Sequence, residues 1–183
     1  VILVQSPFDP DVYEEASVAP DRFALTKHMY FSLLCMHLGA KEISVEQVDL
    51  QSGAEKISRG AGADRPVVGA KISVASEALD KFRAHMSLHD TFSGGKPDID
   101  AAEQLLRKTG LLSDSTMYSL LEMRRSTSNQ MLSRKLVISL SSEAKTSLNI
   151  VGRLKSPFVN FESDYEKITS KEYDYTVTVR VQF

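Results

Sequence analysis

The last eleven residues constrain this chain more than any other stretch. Tyr173, Tyr175, Val177, Val179, Val181 and Phe183 alternate with Asp174, Thr176, Thr178, Arg180 and Gln182. A strict period of two places the aromatic and aliphatic set on one face of a strand and the polar set on the other, as in an antiparallel sheet with one solvated side. Such a strand needs neighbours to pair with and something to cover its apolar face.

The rest of the chain supplies candidates for both. Ile43, Val45, Val48 and Leu50 mark a strand over 41–50, and Ala70, Ile72 and Val74 mark another over 67–74. Leu136, Ile138 and Leu140 predict a strand over 134–141; Leu148, Ile150 and Gly152 predict one over 146–154, with Ser142 to Lys145 as a hairpin turn between them. The run Val1 to Val4 predicts a short additional strand, ended by Pro7 and Pro10. Helices are predicted over 21–38, 76–90, 99–109 and 114–126. Pro20-Asp21, Ser76, Asp98 or Asp100, and Asp114 or Ser113 supply their start signals, and Gly39 and Gly110 are stop signals for the first and third. The order strand, helix, strand at the start is compatible with a crossover and a locally parallel pair. Residues 52–66 read as the glycine-rich connection of a long hairpin. These elements predict a single α+β domain over 1–183: a mainly antiparallel twisted sheet with helices packed on one face.

Composition agrees with a folded domain. The chain has 183 residues, 42% of them hydrophobic, which suffices for a core. Its 22 Lys and Arg against 24 Asp and Glu give a net charge of −2, which excludes a generally cationic, nucleic-acid-coating protein. No run approaches the ~18 apolar residues of a membrane-spanning helix. Cys35 is the only cysteine, so no intrachain disulfide forms, and a cytoplasmic or otherwise intracellular setting is the expectation. The chain starts on valine without an initiator methionine, which fits a processed product or a piece of a longer polypeptide.

Four groups of residues carry candidate chemistry. Residues 123–135 hold Arg124, Arg125, Arg134 and Lys135, no acid, and many hydroxyl and amide groups; this is the best candidate for contact with a partner, including phosphate or nucleic acid. The stretch lacks the stacking aromatics of a single-strand platform. Arg59 and Arg65 bracket Gly-Ala-Gly-Ala-Asp, a combination able to clasp an anion, although a glycine pair lying between strands more often forms a hairpin tip. Asp9 and Asp11, with Ser6 nearby, follow the first strand, and paired carboxylates there suit a hard ion such as Mg²⁺. His85 and His89 stand four apart, which on one helix would place both on one face as metal ligands; no Glu follows His85 and no third His or Cys stands near. His28, His37 and Cys35 lie on the largely apolar first helix and read as packing.

No convergent nucleophile, base and oxyanion donor can be assembled from these residues, and no cofactor is named by them. The expectation is a non-enzymatic recognition or assembly module that binds a protein or larger complex through the exposed strand face and residues 124–135. Two alternatives follow from the same residues. One is a metal-dependent enzyme acting on a phosphorylated or nucleotide substrate, with Asp9 and Asp11 at the metal and Arg59 or Arg65 steering the anion. The other is a pore-forming or membrane-inserting β protein built on the Ser/Thr-rich amphipathic strands; the helices argue against it, and a membrane partner is not expected.

Overall fold

The computed structural model describes residues 1–60, 73–153 and 172–183. Its architecture is α+β. A sheet of five strands in the order β4-β3-β7-β6, with β5 also paired to β3, is antiparallel at every pairing, and helices pack against it. Its strands are β3 (Glu42–Ser52), β4 (Glu55–Gly60), β5 (His89–Thr91), β6 (Ser133–Ser139) and β7 (Tyr173–Gln182). The helices are α1 (Ala19–His37), α2 (Val74–His85), α3 (Ile99–Thr109), α4 (Ser115–Arg125) and α5 (Ser142–Arg153).

The C-terminal strand sits in the middle of this sheet, between β3 and β6. Its apolar set is what the helices cover: Tyr175, Val177, Val179 and Val181 are completely buried, together with Ile43, Val48 and Leu50 of β3 and Ile138 of β6. Each such side chain contributes about 1.5–3 kcal/mol relative to exposure. The partner polar set, Thr176, Thr178 and Arg180, shares the opposite face with Ser44, Gln47 and Asp49 of β3 and with Lys135 and Val137 of β6. A register shift in β3 between Val45 and Gln47 gives that strand one extra residue, Glu46. The bulge lets Val45 and Val48, three apart, both point into the core.

Local signals set the helix limits. Gly39 follows α1 at φ 83°, and a Cβ there would lie 2.3 Å from the carbonyl oxygen of Gly95, so both the turn and the close backbone approach require glycine. Asp98 caps α3 by accepting from the Ala101 N–H, and Gly110 ends it in the left-handed region at φ 74°. Asp114 caps α4 through the N–H groups of Thr116 and Met117.

Several expectations are corrected. Residues 142–153 form α5, not a turn and a strand: Ala144 is buried, Leu148 and Val151 pack on the core, and Ile150 is 59% exposed, so the helical spacing of the first three overrides the apparent alternation. The second helix stops at His85, and the chain continues extended into β5. The first strand, β1 (Leu3–Gln5), does not join the main sheet; it pairs antiparallel with β2 (Tyr13–Glu15), so no parallel pair forms around α1. Residues 55–60, read as connection, make β4, whose only core-packed apolar residue is Ile57. The strand predicted over 67–74 lies mostly outside the described residues, although Val74 begins α2. No described helix is long and apolar enough to cross a membrane.

Candidate functional site

The four cations of residues 124–135 go in four directions. Arg124 is buried: its Nε donates to the Leu38 carbonyl at 3.1 Å, its terminal nitrogen to the Met131 carbonyl at 2.8 Å, and its guanidinium lies 4.2 Å from the centre of the Phe183 ring. Burial lowers the pKa of this group. Arg125, the next residue, turns outward to Glu103 and Glu122, both at 3.2 Å. Arg134 reaches from β6 toward α4, where it donates to Ser119 and lies 3.4 Å from the Met123 sulfur. Lys135 points to the opposite face of the sheet and binds Glu46, which also receives Arg180 at 2.9 Å. A period of two on β6 separates the last pair, and the ~100° step of a helix separates the first. The geometry makes Arg124 part of the core and leaves Arg125, Arg134 and Lys135 within reach of solvent.

What this segment leads into is a strand with no neighbour on its outer side among the described residues. The N–H of Phe183 donates to the Leu132 carbonyl and that of Leu140 to the Tyr175 carbonyl. With an unbroken register between these points, even-numbered residues of β6 exchange bonds with β7, and odd-numbered ones turn their N–H and C=O groups the other way. The carbonyl of Ser139 is one of these, and the Lys27 ammonium donates to it at 2.7 Å. Ser133, Lys135 and Val137 have no described strand on that side. Val137 is 57% exposed and Leu132 73%. β6 contains no proline, and its pairing with β7 has no bulge, two of the devices that commonly blunt a free edge.

The other predicted sites look different in place. Arg59 is engaged with α2, donating to Asp80 at 3.1 Å and Ser76 at 2.7 Å; Arg65 lies outside the described residues. Asp9 accepts the N–H of Asp11 at 3.0 Å in a local turn, and Ser6 accepts the N–H of Phe8. No group of three or more His, Cys, Asp or Glu side chains able to hold a metal occurs among the described residues. His85 and His89 are not on one helix face: His85 contacts the Lys81 carbonyl at 2.8 Å, and His89 binds Glu42 across the β3–β5 pair at 2.8 Å. Cys35 is fully buried, and burial pushes its thiol well up, away from nucleophilic use.

One polar centre escaped the sequence reading. Lys27 is completely buried on α1, and its ammonium lies 2.7 Å from Asp114, 2.8 Å from Glu143 and 3.3 Å from the Ser142 hydroxyl, besides its bond to Ser139. It ties the N-terminal ends of α4 and α5 to the end of β6. A hydroxyl beside a lysine amine also occurs in hydrolases, where the amine must be neutral to act as base. Here the Lys27 amine is shared among two carboxylates, a hydroxyl and a carbonyl on three elements, which makes it a structural tie. Its signal was the position: Lys27 lies four residues from both Phe23 and Phe31, on the buried stripe of an otherwise apolar helix.

Comparison of the chain with protein-family models, with curated proteins and with solved structures finds no match in any of the three, so the functional reading rests on geometry.

Proposed function

We propose that this protein is a non-enzymatic recognition or assembly module whose partner, a protein, adds an extended segment to the β6 edge. The observation that carries this reading is the alternation in β6: the N–H and C=O groups of Ser133, Lys135 and Val137 face away from β7, beside the exposed side chains of Leu132 and Val137. Backbone groups in such a row supply affinity to any extended chain, and the side chains next to them select which one. The basic residues contribute at the margins, Lys135 on the open sheet face and Arg134 toward α4.

The far end of the edge limits the partner. Because Lys27 already bonds the Ser139 carbonyl, the stretch without a strand beside it among the described residues runs only from Ser133 to Val137. Symmetric pairing of two copies about Lys135 would set like charges opposite each other, and pairing about Val137 would bring Lys135 of one copy against the occupied Ser139 of the other. Both registers favour a different chain over a second copy.

The test is native co-purification with Val137→Pro as the comparison. Val137 has an outward N–H, so proline there removes a docking bond without removing a bond to β7, a position where edge strands tolerate it. Co-purification of a protein that Val137→Pro abolishes, with the thermal unfolding of the chain unchanged, supports the reading. A captured protein that binds the variant equally well overturns it, as does a chain that carries only a metal or nucleotide.

A further inference from the structure

The cations beside β6 differ in whether an acid already answers them. Arg125 is shared by Glu103 and Glu122, and Glu103 also holds Arg107. Lys135 and Arg180 share one acid, Glu46, so that trio keeps an excess positive charge. Arg134 meets only neutral groups among the described residues: its guanidinium donates to the Ser119 hydroxyl at 3.1 Å and lies 3.4 Å from the Met123 sulfur.

The register of β6 aims that charge. Leu136 and Ile138 are buried on the helix side of the sheet, and Arg134 shares their parity and reaches α4. Nearby, Leu132 and Met123 are exposed. In an antiparallel strand laid along Ser133 to Val137, the odd residues of β6 exchange backbone bonds, and the even ones face a partner residue in the closer, non-hydrogen-bonded pairs. The residue opposite Arg134 therefore projects on the α4 side, with its Cβ about 4.5–5.5 Å from that of Arg134. A carboxylate there meets the guanidinium, and a cation there is repelled. On the other face, a side chain opposite Lys135 meets the excess charge of the Glu46 trio.

We infer, on the reading that β6 is the docking strand, that the segment it takes is an acidic stretch of the partner protein, with an Asp or Glu opposite Arg134 and apolar residues beside that acid toward Leu132 and Leu136. Charge complementarity selects this occupant. A second copy of β6 offers Arg134 and Lys135 and no acid. A nucleic acid is also negative, but its backbone carries no N–H donors for the outward carbonyls of Ser133, Lys135 and Val137.

The experiment titrates the ¹⁵N-labelled full chain with the end-capped heptapeptide Thr-Val-Thr-Glu-Thr-Val-Thr, and with versions carrying Gln or Lys at the centre, read from the backbone amides of Ser133 to Val137. Saturable shifts there are expected from the Glu peptide, which should bind about threefold more tightly than the Gln peptide, with the Lys peptide weakest. Arg134→Gln should erase the preference for Glu over Gln while leaving the affinity for the Gln peptide and the unfolding temperature nearly unchanged. Equal binding of all three peptides at these amides, or a preference for Glu that survives Arg134→Gln, would overturn the inference and leave β6 as the docking strand. No response of these amides to any of the three would overturn both. Shifts of the same amides with an octathymidylate, and none with the Glu peptide, would overturn it in favour of a nucleic acid.

Discussion

On one side of the sheet a single cation, Lys27, lies between two acids; on the other a single acid, Glu46, lies between two cations. The chemistry is nearly a mirror image, and the consequence for the fold is not. The Lys27 side chain is completely buried, and its carboxylates are 12% and 21% exposed. Lys135 and Arg180 are 54% and 46% exposed and Glu46 30%, so water screens the attraction, and long side chains lose freedom when held. The same two-to-one arrangement is a keystone where solvent is excluded and a surface adornment where it is not.

Removing the Lys27 charge should therefore have the largest effect. Lys27→Met keeps much of the volume but leaves Asp114 and Glu143 facing each other, and should cost about 3–5 kcal/mol in chemical denaturation. Adding Glu143→Leu to that variant should recover part of the loss, because a buried ion cluster replaced by apolar groups is often tolerated. No recovery would mean that Lys27 acts through packing alone.

Next in size is the contrast between Arg124 and Arg125. Arg124→Ala strands the Leu38 and Met131 carbonyls and the Phe183 ring, and should cost on the order of 2–4 kcal/mol. Arg125→Ala loses only exposed pairs and should leave the unfolding temperature nearly unchanged. A partner-binding test that changes both arginines together would confuse a damaged fold with a lost contact.

His28 gives a smaller, pH-dependent effect. Burial lowers its pKa from the ordinary 6.5, against a weaker upward pull from the Ser87 carbonyl 2.9 Å away. The folded state therefore holds His28 neutral and binds fewer protons than the unfolded state below that value. Its contribution is fully present above pH 6.5 and is lost as pH falls toward the depressed pKa. Stability measured from pH 7 to 5 should fall less steeply in His28→Gln, whose amide can still donate to Ser87. The smallest change is expected from Glu46→Gln, whose unfolding should be hard to distinguish from that of the parent.

How far the sequence foretold all this depends on whether a residue's role is local. The caps Asp98, Gly110 and Asp114 act within their own turn, and β7 states its two faces by alternation, so these were legible. In α5, Leu148 and Ile150 satisfy a strand pattern while Ala144, Leu148 and Val151 satisfy a helical one, and only packing on the core decides between them. The basic residues could be counted but not aimed: one helical step sends Arg124 inside and Arg125 out, and one strand step puts Arg134 and Lys135 on opposite faces. Asp114 and Glu143 stand 87 and 116 positions from Lys27, beyond any local pattern. The place of β6 at the end of the described strand order was likewise invisible, because strand order is a property of the whole sheet.

Native-state amide hydrogen exchange along β6 of the full chain tests that edge without needing the partner. The free protein should show rapid exchange at Lys135 and Val137 and strong protection at the intervening Arg134, Leu136 and Ile138. Equal protection of odd and even positions would mean that the edge is already covered and would contradict its assignment as the docking strand.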